Sequence, residues 1–340
     1  MRRVIVLGGL GQFGRTAAQE LRRLGVNPLI ASRGAGAELR VDANDAASLR
    51  ATLKKGDVIV DAAGPFHART TALIDTAIEV GFDVVDLNDD LQYAQNVLEN
   101  ERDIAVAQIR VLSSASSVSA ISAAVIQQCG IMAPRRVTAY LAPASRHTAN
   151  RGTALSLLRS VGRPVQVFRR GRLESRVGWS EASRFSFPAP VGRINGRLFE
   201  SADAIYLPRI WPTLQQVEMY VDTNTVGVNS LLQLAALADP VRELLQRKLD
   251  WGTWLARKLG SSAGGIGYEI EGDNGRLARC AITGGTNSFL VAVAPAVLAT
   301  KAIALDQFPN RGLVLPDQHA TREELLAFLE ASGMILSEDI

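Results

Sequence analysis

The sequence predicts an α/β protein of two domains: an N-terminal doubly wound parallel sheet, then an α+β domain whose sheet is mostly antiparallel. Three observations predict it. An apolar strand, Val4 to Leu7, runs into Gly9-Leu10-Gly11-Gln12-Phe13-Gly14, an amphipathic helix and a second apolar run that ends at Ser32-Arg33. Short apolar runs then alternate with helical stretches as far as about residue 118, the rhythm of a parallel sheet covered on both faces. Beyond 118 that regular rhythm changes, and the strand-like segments read as a different, more antiparallel sheet.

The first element is the strand, glycine turn and helix of a Rossmann dinucleotide site. Gly9 permits the tight turn, Gly11 leaves room for a pyrophosphate, and Gly14 lets the helix approach the sheet. Leu10, Gln12 and Phe13 complete the turn, and the helix N-terminus offers N–H groups to phosphate. The bland reading keeps the same glycines for packing alone. The second strand ends in Ser32-Arg33, where a preference for NAD would place Asp or Glu. A hydroxyl followed by a guanidinium suits a 2′-phosphate, so the expected cofactor is NADP, against the plainer reading of a solvated Arg.

Strands follow near 57–62, 83–87 and 110–114, with helices near 13–24, 45–54, 68–80 and 90–107. Asp42 follows a short extended stretch and is a candidate for the adenine side, while Asp45 reads as a helix cap. Ligands of such sheets lie beyond the carboxyl ends of the strands. That gathers the glycine turn, Asp61-Ala62-Ala63-Gly64-Pro65-Phe66-His67 and Asp86-Leu87-Asn88-Asp89-Asp90. Ala63 and Gly64 are small enough for a cofactor to approach the backbone, and Pro65 stiffens the turn. Domain boundaries are expected as 1–118 for nucleotide binding and 119–304 for substrate and dimerisation, with 305–340 returning to the first domain. In the second domain 137–142, 165–168, 204–207, 217–221, 268–271 and 277–283 read as strands, and 153–161, 228–238 and 240–258 as helices.

Composition narrows the function. Net charge is only +3, and no basic helix with interleaved aromatics appears, so nucleic acid is not the expected partner. From Arg151 to Arg197 ten arginines face only Glu174 and Glu181, which suits an anionic substrate, a phosphate-bearing ligand or a membrane surface, or else a solvated hairpin face. Cys129, Cys280, His67, His147 and His319 lack metal-ligand spacing, so no metal is expected. The longest apolar segment, Phe289 to Leu305, is shorter than a spanning helix and reads as buried or interfacial, without membrane contact. A strand that begins at once leaves no room for a secretory signal, and the expected compartment is the cytoplasm.

Proton-transfer candidates are few. His67 stands beside the expected nicotinamide loop and either donates a proton or caps a helix. His147 is a second candidate, with Arg146 or Arg151 holding a substrate carboxylate, unless the segment is only a surface loop. None of the five tyrosines has a Lys four residues on, so the chemistry of short-chain dehydrogenases has no candidate pair.

The run Asp61-Ala62-Ala63-Gly64-Pro65-Phe66, then Gly81-Phe82-Asp83-Val84-Val85-Asp86-Leu87, resembles the saccharopine dehydrogenase-like (saccharopine reductase) group of NADP-binding proteins. Arg151-Gly152-Thr153-Ala154-Leu155-Ser156 and Gly312-Leu313-Val314-Leu315-Pro316-Asp317 are similar to it too. The resemblance implies a Rossmann domain, an inserted mixed α/β domain and a homodimer. It further implies hydride transfer between NADPH and a C=N, C=O or C=C bond of a small or carrier-bound intermediate near Ala63 to Phe66, with Phe66 against the substrate. The chain departs from the group after its sixth strand, where Ser114-Ala115-Ser116-Ser117-Val118-Ser119 replaces a Gly-Xaa-Xaa-Pro-Gly turn. The other function class open at this point is a non-catalytic NADP-binding sensor or a trans-acting partner protein.

Overall fold

The computed structural model describes residues 1–338. The chain divides into two compact units, Met1–Ala124 with Phe289–Leu325, and Val125–Ser288 with the residues from Leu326 onward.

The first unit opens with β1 (Val4–Leu7), α1 (Gln12–Arg23), β2 (Leu29–Ser32), β3 (Leu39–Arg40), α2 (Ala46–Thr52) and β4 (Val58–Asp61). It continues through α3 (Ala72–Val80), β5 (Asp83–Asp86), α4 (Leu91–Glu99), α5 (Glu101–Val106) and β6 (Arg110–Leu112). Helix α6 (Ala120–Gln128) leads to β7 (Pro134–Ala142), α7 (Ser145–Thr148), α8 (Arg151–Ser160), β8 (Pro164–Arg169), β9 (Arg172–Val177), β10 (Ala182–Ser186) and β11 (Arg193–Phe199). Then come α9 (Asp203–Ile210), β12 (Gln216–Val221), α10 (Val228–Leu237), α11 (Asp239–Arg247), α12 (Leu249–Leu259), β13 (Gly264–Gly272) and β14 (Leu277–Gly284). Helix α13 (Phe289–Ala304) and β15 (Gly312–Val314) belong to the first unit, and α14 (Arg322–Ala331) precedes β16 (Ile335–Glu338).

The first sheet has the order β15-β6-β5-β4-β1-β2-β3, and every pairing in it is parallel. Strands β1, β4 and β5 are buried along their whole length, which the Val and Ile runs of β1 and β4 foretell, while β5 buries an Asp at each end. Helix α1 turns Ala17, Ala18 and Leu21 inward, and the Asp45 carboxylate caps α2 by accepting from Ala47 N at 2.9 Å. The Arg110 guanidinium donates to Asp83 and to the carbonyls of Phe308 and Asn310, which fixes the chain that enters β15 beside β6.

The second sheet has the order β10-β11-β12-β7-β13-β14-β16, with β8 beside β12 and β9 beside β8. Only β12 and β7 pair in parallel. Tyr140 stacks on Phe185 at 4.7 Å and on Tyr220 at 5.9 Å within its core.

Four expectations about organisation are corrected. Residues 289–304, assigned by sequence to the second domain, form the buried helix α13, which packs on α1, β4 and β5 because almost its whole surface is apolar. The segment 305–340 does not return as one piece: β16 pairs with β14 in the second sheet, and the first boundary lies at 124 rather than 118. Residues 204–207, read as a strand, lie in α9, where Ser201 accepts from Asp203 N through its hydroxyl and from Ala204 N through its carbonyl. A short apolar run has no period that separates strand from helix. Strands β9, β10 and β11 went unread because arginine and serine fill their exposed faces.

Candidate nucleotide-binding site

The chain leaves β1 toward β2 on one side of the sheet, whereas β4 lies on the other side, so strand order reverses between β1 and β4. A crevice opens at such a point beyond the carboxyl ends of the strands. Two loops meet there. Gly8 has φ +70°, and a Cβ on it would lie 2.6 Å from the Ala62 carbonyl oxygen and 2.7 Å from Ala63 Cα. Only a residue without a side chain lets the loops after β1 and β4 touch.

The three glycines of the motif are used differently. A Cβ on Gly14 would fall 2.4 Å from the Gly8 carbonyl oxygen, so this glycine sets the distance of α1 from the strand turn. A Cβ on Gly9 would fall 2.7 Å from Ile30 Cγ2, so it serves packing against β2, and the left-handed residue of the turn is Gly8. Gly11 is exposed, and a Cβ there would meet only the Gly8 carbonyl oxygen at 3.1 Å. It is the extended N-cap of α1, with no side-chain cap and no acidic residue in the first turn. Arg15 N bonds to Gly11 O, so the N–H groups of Gln12, Phe13 and Gly14 precede the first α-helical bond. Leu10 is half-buried on the turn, and Phe13 is held edge-on against Phe289 at 5.1 Å.

At the end of β2, Ser32 Oγ accepts from Gly34 N at 3.3 Å, and Arg33 is exposed. Sequence reading missed Arg40, which is exposed on β3 in register with Ser32. Among the described residues neither Arg33 nor Arg40 has an ion-pair partner. Arg40 lies eight positions beyond Ser32, and only the parallel pairing makes them neighbours. Asp42 Oδ1 accepts from Asn44 N at 3.0 Å, so one of its oxygens shapes its own turn.

The loop after β4 is fixed by a second residue that sequence reading missed. Arg69, nearly buried, donates to Asp61 Oδ1 at 3.0 Å, to the carbonyls of Ala63 and Ala43, and to Asn44 Oδ1. Burial works against its charge, but the adjoining Asp61 carboxylate holds the guanidinium pKa above its usual value. Gly64 is exposed and joined to the half-buried Pro65 by a cis bond. Phe66, expected against the substrate, is a core residue instead, 5 % exposed and 5.4 Å from the Tyr93 ring. His67 is half-buried on the short 3-10 turn Phe66–Ala68 that follows.

Asp61 and Asp86 end neighbouring strands in register, and both are fully buried. Asp86 Oδ1 accepts from Asn88 N, Ser114 N and Ser113 Oγ, while Oδ2 has no hydrogen-bond partner among the described residues. Burial, aided by the charge of Asp61, pushes its carboxyl up to about 7 against the pull of those donors. Beyond the end of β15, His319 Nε2 must donate to the Val314 carbonyl at 3.0 Å, which leaves Nδ1 as a buried acceptor. Burial brings this imidazole down to about 4.

The remaining candidates lie in the second unit. His147 is half-buried on α7, and Arg146 beside it donates through Nε to the Gly260 carbonyl at 3.3 Å. Arg151, expected to hold a carboxylate, is instead paired with Asp250 at 2.9 and 3.0 Å on the surface. Of the arginine-rich segment, Arg169 binds Glu181 and Glu218, and Arg170 and Arg176 bind Glu174, which favours the hairpin-face reading for these residues.

No family model matches the chain, and no curated protein matches it. Solved structures do. Saccharopine dehydrogenase (L-Glu forming) from Saccharomyces cerevisiae matches with a TM-score of 0.61 and 16% identity over 100% of this chain and 99% of that one. A scyllo-inositol dehydrogenase from Lactobacillus casei with bound NAD(H) aligns at a TM-score of 0.44 and 12% identity, covering 99% of each chain. The polypeptide described here therefore has the fold of saccharopine dehydrogenase along its whole length.

Proposed function

We propose that the protein is an NADP-dependent oxidoreductase that transfers hydride to an imine, carbonyl or activated alkene of a small or carrier-bound biosynthetic intermediate. One observation carries the reading. Gly11 opens the uncapped end of α1 at the strand-order reversal, while Gly8 and Gly14 bring the backbone around it as close as contact allows. The residues fit a dinucleotide: a pyrophosphate needs donors without a competing carboxylate, and the first turn of α1 has none. Ser32 with Arg33 and Arg40 supports a 2′-phosphate rather than a free ribose hydroxyl.

When bound, the nicotinamide supplies the hydride. The chain's own residues do the rest. Arg69 and Asp61 hold the Ala63–Gly64 loop from both sides of one residue, Asp61 Oδ1 accepting from Ala63 N and Arg69 donating to the Ala63 carbonyl. His67, three residues beyond Gly64, is the proposed proton donor. In this proposal the first unit binds the nucleotide, the second serves substrate binding and assembly as a homodimer, and the compartment is the cytoplasm. No helix among the described residues is long and apolar enough to cross a membrane.

Calorimetry with NADPH and NADH on wild type, Arg33→Ala and Arg40→Ala tests the reading. Each substitution is expected to weaken NADPH about tenfold and leave NADH unchanged. Binding of neither nucleotide to wild type ends the oxidoreductase reading. Turnover lost with nucleotide affinity kept in His67→Ala marks an enzyme; turnover found with neither His67 nor His147 intact excludes both as donors.

A further inference from the structure

Among the described residues, fifteen large apolar side chains are exposed, and eight of them lie between residues 226 and 259, about a tenth of the chain. Helices α10, α11 and α12 carry seven of them, and Val226 lies just before α10. Each helix turns a few residues inward, Leu232, Ala235 and Leu249 among them, onto a small core completed by Leu158, Val161 and Trp179. The outward sides carry large apolar residues as well, among charged ones. Leu234 and Leu237 are 53% and 84% exposed on α10, Leu244 55% on α11, and Trp251 and Trp254 56% and 54% on α12. Trp251 and Trp254 stand three apart, so they share one side of α12. A helix that is apolar both inward and outward is ordinarily covered on both sides.

The charges decide what covers it. Exposed Asp239, Glu243 and Asp250 alternate along the same helices with exposed Arg247, Lys248, Arg257 and Lys258. Each of these carboxylates is already paired with an arginine of the same chain, Arg242, Arg247 and Arg151, so the face presents both signs of charge and can oppose a copy of itself. The area agrees. Eight half-exposed side chains at roughly 100 Å² each present on the order of 800 Å², which is what a stable dimer buries on each partner. Trp and Leu on a rigid helical support are also the kind of centre from which interfaces draw most of their affinity.

We propose that the outward face of α10, α11 and α12 is a self-complementary interface that binds the same face of a second copy of this chain. The proposal rests on the homodimer part of the functional reading and on none of its nucleotide chemistry. Light scattering on the eluting protein at micromolar concentration is expected to give twice 36.5 kDa for wild type. Leu234→Glu with Trp254→Glu, and separately Trp251→Ser, are expected to raise the dimer dissociation constant at least 100-fold with an unchanged circular dichroism spectrum. Met132→Glu, at a side chain 89% exposed elsewhere on the second unit, is expected to leave the dimer intact. A dimer that survives all the α10 and α12 substitutions overturns the face and spares the dimer. A wild-type monomer at every concentration overturns both, and a monomer that sediments with anionic vesicles assigns the face to lipid instead.

Discussion

Asp86 and His319 are both fully buried beyond the ends of parallel strands, and burial drives both toward the uncharged form. Their effects on stability run in opposite directions. Folded Asp86 binds its proton up to about pH 7, above the ordinary carboxyl value, so its contribution is present in acid and is lost as pH rises through 7. Folded His319 stays neutral down to about pH 4, below the ordinary imidazole value, so its contribution is complete above that ordinary value and is lost as pH falls toward 4. In the shared window the two slopes oppose each other. Urea titrations across pH 4.5 to 6.5 are expected to show Asp86→Asn gaining stability with pH, by up to about 1.4 kcal/mol per unit. His319→Asn is expected to lose stability with pH over the same window, and parallel profiles for both variants would contradict the assignment. Neither behaviour is written in the local sequence. Asp86 is legible as a strand-end carboxylate, but its burial under Ser113, Ser114 and Asn88 depends on β6 lying beside β5. Arg69 and Arg40 escaped for the same reason, because their partners are set by register and loop contact rather than by spacing.

At the scale of the element, the turn between β1 and α1 was the most legible part of the chain, and the structure refines which glycine does what. Gly11→Ala adds a methyl with one contact at 3.1 Å, so it is expected to change the melting temperature little and to weaken NADPH binding at least tenfold. Gly14→Ala adds one 2.4 Å from a carbonyl oxygen, so α1 must move, at a cost of about 1–3 kcal/mol. Thermal melts and nucleotide titrations of the pair separate a ligand glycine from a packing glycine. Equal loss of stability in both would remove the distinction. Gly8 escaped notice because its need for a bare backbone is created by Ala62 and Ala63, which arrive more than fifty residues later. Helix α9 was misread and β9 to β11 were missed because a run of four apolar residues has no diagnostic period, and a half-solvated strand carries a weak one.

At the scale of the whole molecule, the alternation of strands and helices announced five of the seven strands of the parallel sheet, and the far end of the chain was expected to return to it, but α13 was assigned to the other domain. Helix α13 packs on α1, β4 and β5, and β15 adds the last strand. Residues 1–128 alone are therefore expected to lack a cooperative melt. The same residues joined through a Gly/Ser linker to 286–325 are expected to regain it, as judged by circular dichroism. A cooperative transition in the shorter fragment would show that α13 is dispensable.

The late position of α13 has a further consequence during synthesis. Each unit waits for a segment made near the end, the first for its apolar cover and the second for β16, which closes the β14 edge. A ribosome that has released the glycine turn must still add more than 270 residues before the sheet carrying it is covered. Through that interval the apolar face that α13 will occupy stays open to neighbouring chains, so the nascent protein depends on the cell's holding machinery far longer than a domain finished in one stretch would.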